Sequence, residues 1–107
     1  MNVKNITSRN GNAIPNQFII TEQGKGSLGN FSKRETFQSY DSVIAIRTVW
    51  PDEVRGERPA VRIELDANSW DYSTTTGKYR NLFLGESKKE TEKKIKSGEY
   101  KLVNLNA

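Results

Sequence analysis

The chain has 107 residues, 34% of them hydrophobic, and its 17 Lys and Arg outweigh 13 Asp and Glu to a formal net charge of +4. That length holds one domain with a single modest core, and a mean hydropathy of −0.78 predicts a thin core under a polar surface. Neither Cys nor His occurs, which excludes disulfides, Cys/His zinc sites, thiol nucleophiles and every His-based acid–base pair or Ser-His-Asp triad.

No run of about 18 apolar residues offers a membrane span, and no apolar stretch follows Met1 as a signal peptide requires. The expectation is therefore a cytoplasmic protein without a membrane partner. Lys4, Arg9, Lys25, Lys33 and Arg34 face only Glu22 within residues 1–34, so the N-terminal third carries the positive excess. A basic balance of this kind suits nucleic acid or an acidic protein, and equally an ordinary polar surface.

Val3–Ile6 reads as a short strand, Asn10-Gly11-Asn12 as a turn, and Asn16–Thr21 as the second arm of a hairpin. Gly24-Lys25-Gly26-Ser27-Leu28-Gly29 has the spacing G-x-G-x-x-G. A dinucleotide fingerprint needs a helix directly afterwards, and here another strand follows, so the reading is a loop. Thr36–Tyr40 and Ser42–Trp50 form the clearest strand region. Strict alternation puts Ile44, Ile46 and Trp50 on one face, with Val43, Ala45, Arg47 and Val49 on the other. Ala60–Leu65 alternates with Val61, Ile63 and Leu65 inward, and should pair with Ser42–Trp50 across the charged tip Pro51–Pro59.

Trp70–Gly85, WDYSTTTGKYRNLFLG, concentrates aromatics, hydroxyls and cations in one window. With Asp71 or Ser73 as cap and Gly85 as stop, it predicts a helix from Thr74 to Leu84 with Tyr79, Leu82 and Phe83 on its apolar face and Thr75 one turn earlier. Three Thr and Gly77 weaken that reading, and a hairpin with its tip at Thr76-Gly77 is the alternative. A helix start rich in hydroxyls, with Lys78 and Arg80 nearby, is also a cradle for anions; the plainer reading caps the helix with the Thr run and buries the aromatics.

Ser87-Lys88-Lys89-Glu90 is a capping box. It opens a surface helix, Lys88–Lys96, with Glu90–Lys94 and Glu92–Lys96 pairs and only Ile95 apolar. Glu99–Leu105 is a last strand for a sheet edge. The order predicts an α+β fold, an antiparallel sheet of about four to six strands with two C-terminal helices packed on one side.

Asn16-Gln17-Phe18, then Phe37-Gln38-Ser39-Tyr40 with Ser42 and Ile44-Ala45, then Leu65-Asp66 leading into Trp70-Asp71-Tyr72-Ser73, Thr75-Thr76, Lys78-Tyr79 and Phe83-Leu84-Gly85 form a series. It resembles a family of small bacteriophage proteins of undefined function. The likeness covers about residues 16–85 and, weakly, the Lys/Glu helix and terminal strand, while Pro51–Pro59 is longer and more charged than in that group. The resemblance implies a phage origin and expression in the bacterial cytoplasm. It carries no catalytic residues.

The expectation that follows is a non-enzymatic accessory protein, a monomer or small homo-oligomer without cofactor or metal. It would bind and inhibit a host component, above all a protein of an antiviral defence system (anti-CRISPR or similar). Gln38, Tyr40, Trp70, Tyr72, Ser73, Thr75, Thr76, Lys78, Tyr79 and Arg80 are the candidate contacts, aromatic and Arg anchors being what such surfaces use. The alternative is a nucleic-acid or nucleotide binder, with bases on the tyrosines and Trp70 and phosphates on Lys78 and Arg80. A third reading is a metal-dependent nuclease built on Asp66 and Asp71, a spacing common by chance.

Overall fold

The computed structural model describes residues 2–8, 10–23, 33–49 and 61–106. Six strands, β1 (Asn2–Thr7), β2 (Ala13–Gln23), β3 (Lys33–Ser39), β4 (Ser42–Val49), β5 (Val61–Asp66) and β6 (Tyr100–Val103), lie in one sheet in sequence order. Helices α1 (Thr74–Leu84) and α2 (Lys88–Ser97) connect β5 to β6. The fold is α+β as expected. The first five strands are antiparallel neighbours, whereas β5 and β6 run parallel. Two helices supply the long crossover that a parallel pair needs, so the terminal strand takes the sheet edge in the opposite sense to a hairpin.

The β1–β2 turn and the helix ends use the residues their geometry demands. Gly11 has φ +82 in the β1–β2 turn and donates to Ser8 O. Ser73 Oγ accepts from Thr76 N at 3.1 Å to start α1, and Gly85, at φ 71, ends it with its N–H on Asn81 O. Ser87 and Glu90 form the reciprocal box that starts α2. The Thr run therefore begins a helix, and the hairpin alternative is set aside.

The core lies between one sheet face and the helices. Phe37, Ile44, Ala45, Leu65, Phe83 and Tyr100 are its buried centre, with Ile19, Ile63, Tyr79, Leu84 and Ile95 packed around it. The Phe37 and Phe83 rings stack at 5.8 Å and so pin α1 to β3. Arg47 reaches across from β4, giving Nε to Glu35 at 3.0 Å and Nη1 to Phe83 O at 3.1 Å. That places a cation on a carbonyl at the C-terminal, negative end of α1.

Two departures from the sequence pattern matter. Phe37 pairs with Ala45 but Gln38 pairs with Val43, so Ile44 is the extra residue of a bulge. Ile44 and Ala45, assigned to opposite faces by alternation, are both buried, at 1% and 0% exposure. Asn106 supports the bulge from the C-terminal tail, its Oδ1 accepting from Val43 N and its Nδ2 donating to Val43 O. In α1 the inward face is Thr76, Gly77, Arg80 and Phe83. Leu82 is 60% exposed and Thr75 is exposed, so the apolar face is rotated from the one expected. A buried Arg, outside the set expected to face inward, sits on the inward face between Thr76 and Phe83. The segments Gly24–Gly29 and Pro51–Pro59, and Trp50, lie outside the described residues.

Candidate functional site

Two recesses meet at the N-terminus of α1, and Ser73 lines both. The smaller is a pit of about 440 Å³ lined by Tyr40, Asp41, Ser69, Tyr72 and Ser73 and by the buried Ser39, Ile44 and Thr76. The larger is a groove of about 1190 Å³ between Thr7, Ser8 and Ile14 of the first hairpin and α1, with Lys78, Asp71 and Lys88 along it.

The pit is placed by the tight turn that joins β3 to β4. Tyr40 sits there with φ 55, in the left-handed region that an aromatic residue rarely adopts. Its N–H donates to Asn16 O at 2.7 Å, and Asn16 is itself at φ 63. Gln38 Nε2 donates to Tyr40 O at 2.8 Å. The turn is thus tied down on both sides, and the Tyr40 ring is left 58% exposed. Tyr72, in the turn before α1, is 77% exposed. At the base of the pit, Ser73 Oγ donates to Thr76 Oγ1 at 3.2 Å, and Ser39 Oγ lies 3.4 Å from the same oxygen.

The groove is organised by Arg80. Its guanidinium, 1% exposed, donates from Nη1 to Trp70 O at 2.6 Å and to Asp71 Oδ1 at 3.3 Å, and from Nη2 to Asn81 Oδ1 at 3.0 Å. It lies 5.1 Å from the centre of the Trp70 ring. The other Asp71 oxygen accepts from Lys88 Nζ at 2.8 Å. The Lys88 bond, followed by that from Arg80, holds the Asp71 carboxyl below its ordinary range against the opposing effect of burial. Asp71 in turn holds the Lys88 ammonium above its ordinary range. Lys78 Nζ lies 5.4 Å from the centre of the Tyr79 ring on the exposed side of α1.

The candidate contacts therefore divide. Tyr40, Tyr72, Ser73, Thr75 and Lys78 are exposed; Gln38, Trp70 and Tyr79 are half-buried; Thr76 and Arg80 are buried. Arg80 acts by fixing Asp71 and Trp70 in place. Asp41, Ser69 and Lys88 are additional residues of the site. A two-residue turn between Ser39 and Ser42 is the signal in the sequence that points to Asp41.

Asp66 and Asp71 are engaged by different protein partners. The Asp66 carboxylate accepts from Leu105 N at 2.9 Å and Asn68 N at 3.2 Å, fastening the C-terminal tail. Burial raises its pKa, and the bonds from Leu105, Ser69, Asn106 and Asn68 outweigh that and lower it. No group of three or more acidic side chains suited to a metal ion occurs among the described residues. No described helix is long and apolar enough to cross a membrane.

Comparison with curated proteins and with solved structures finds no match. Residues 1–99, all of the sheet but its last strand and both helices, match the model of a family of unknown function, DUF8033, and the chain belongs to that family.

Proposed function

We propose that this is a non-enzymatic bacteriophage accessory protein that binds and inhibits a host component, a protein of an antiviral defence system, through the face around the N-terminus of α1. The observation that carries the reading is the pair of exposed tyrosines, Tyr40 and Tyr72, beside a recess in a chain whose other large aromatics are at least half-buried among the described residues. A thin core gains from every ring it can bury. Two rings left in solvent at one opening are the kind of anchor on which interfaces concentrate their binding energy. The phage and host parts of the reading come from the sequence resemblance.

The test is co-purification from a bacterial lysate with the wild-type chain and with Tyr40→Ala and Tyr72→Ala. A stoichiometric partner that the wild type retains and both variants lose is the expected result. Recovery of no stoichiometric partner, or equal recovery by the variants, overturns the reading.

A further inference from the structure

We propose that the pit between Tyr40 and Tyr72 receives a nucleobase, so that the docking face takes a phosphate-bearing base, free as a mononucleotide or within a single strand of nucleic acid. The inference rests on the reading of this face as the binding face and adds, beside the protein partner, a ligand for the recess within it.

Tyr40 gives the first reason. A left-handed backbone disfavours an aromatic residue, and Gly or Asn would satisfy the same turn without strain. The ring that this backbone carries is exposed and belongs to no part of the core, so core packing does not account for it. Contact with a flat ligand does. Tyr72, on the same recess, supplies a second aromatic face. A volume of about 440 Å³ lies within the range of small-molecule sites.

Charge gives the second reason. Among the described residues no Lys or Arg lines the pit, which suits an uncharged ring and not a phosphate. Among the described residues Asp41 is the one charged residue that lines it, and it makes no ion pair there. A carboxylate accepts hydrogen bonds from ring-edge amino groups, so adenine, cytosine and guanine should be preferred to uracil or thymine.

The third reason is continuity. Beyond Ser73 lies the groove with Lys78 and Lys88, of which Lys88 is engaged by Asp71. A phosphate attached to a base in the pit would leave past Ser73 toward Lys78. A neutral sugar, which could also stack on tyrosine, has no use for that cation. Stacking by the tyrosines is tolerant of sequence, so a single strand would be held with little preference beyond the amino group.

The experiment is titration calorimetry, supported by chemical-shift mapping, of the full chain with AMP, GMP, CMP and UMP, their nucleosides, maltose, and short oligo-dA and oligo-dT. Binding of the amino-bearing bases, weakened about tenfold or more by Tyr72→Ala or Tyr40→Ala and spared by Tyr72→Phe, is the expected result. Asp41→Asn should narrow the gap between CMP and UMP. Lys78→Ala should weaken nucleotides, leave nucleosides unchanged and flatten the salt dependence. Binding of oligonucleotides alone identifies a strand; binding of mononucleotides as well identifies a free nucleotide. Thermal melts of each variant show that it is folded. No binding of any nucleotide or oligonucleotide, binding of maltose only, or unchanged affinity in a folded Tyr72→Ala overturns the inference. If nucleotides fail while a host protein is still captured and lost with Tyr72→Ala, this inference falls and the docking face stands.

Discussion

Two polar clusters at different ends of the helical pair show how the same residue types serve different ends. In the first, the Glu86 carboxylate accepts from Tyr100 Oη and Lys94 Nζ, each at 2.8 Å, and from Thr91 Oγ1 at 2.6 Å. It joins α2 to β6. Every polar tip in that knot has a partner, and Tyr100 and Thr91 are buried. In the second, Tyr40, Asp41 and Tyr72 are exposed, and among the described residues no ion pair or ring contact engages them. A closed network of that kind stabilises the fold, while the open cluster leaves its groups available to a ligand. Arg80, Asp71 and Lys88 stand between the two: Asp71 is paired on both oxygens and its outer edge lines the groove, while the buried Arg80 Nε has no hydrogen-bond partner among the described residues.

Substitutions should separate the paired networks from the open cluster. The largest loss is expected from Arg80→Ala, which leaves Trp70 O without its donor, takes a cation from Asp71 and empties a buried volume. A cost on the order of 3 kcal/mol in urea unfolding is expected, and a change below about 1 kcal/mol would mean that Asp71 and Trp70 find new partners. Glu86→Ala should follow at about 2 kcal/mol, since Tyr100 and Thr91 lose a shared acceptor.

The Glu86 knot also predicts a pH profile. Burial pushes the Glu86 carboxyl up, but Lys94, Thr91 and Tyr100 together hold it below its ordinary range; Asp71 is lowered as well. A lowered carboxyl contributes stability that is present above its unfolded value, near pH 4, and lost as pH falls below it. At the other end, burial and then Glu86 push the Tyr100 hydroxyl up to about 12, and Glu86 foremost raises Lys94. A raised group contributes stability that is complete below its unfolded value and lost above it. Stability should therefore decline from about pH 10 upward. Melting temperatures across the range, with Glu86→Ala as the flatter comparison, check both limbs.

The smallest effects belong to the open cluster. Tyr40→Gly removes the left-handed strain and adds flexibility to the unfolded chain, for a net gain of about 0.5 kcal/mol. Tyr72→Ala should stay within about 0.5 kcal/mol of the wild type. Loss of more than about 1 kcal/mol in either variant would show that these rings are structural after all.

Much of this architecture was legible in the chain. Ser73 and Gly85, and Ser87 with Glu90, delimit both helices because a cap is a local contract between a side chain and N–H groups two or three residues away. Alternation located β4 and β5 for the same local reason. The bulge at Ile44 was not legible, because the extra residue is fixed by register with β3 and by Asn106 from the far end of the chain. Nor was the face of α1. Arg80 turns inward only because Trp70 O, Asp71 and Asn81 are waiting for its guanidinium, and hydrophobic periodicity cannot see acceptors.

Sequence alone determined the absence of thiol and imidazole chemistry, the α+β order and the helix boundaries, all of which depend on residue type and near neighbours. Tertiary structure decided which hydroxyls and cations are sealed and which face solvent. It also set the last strand parallel to its neighbour and brought the Tyr40 turn beside the start of α1. Those outcomes depend on contacts between residues far apart in the chain, where burial, and not residue identity, sets whether a polar group holds the fold or stays open to a ligand.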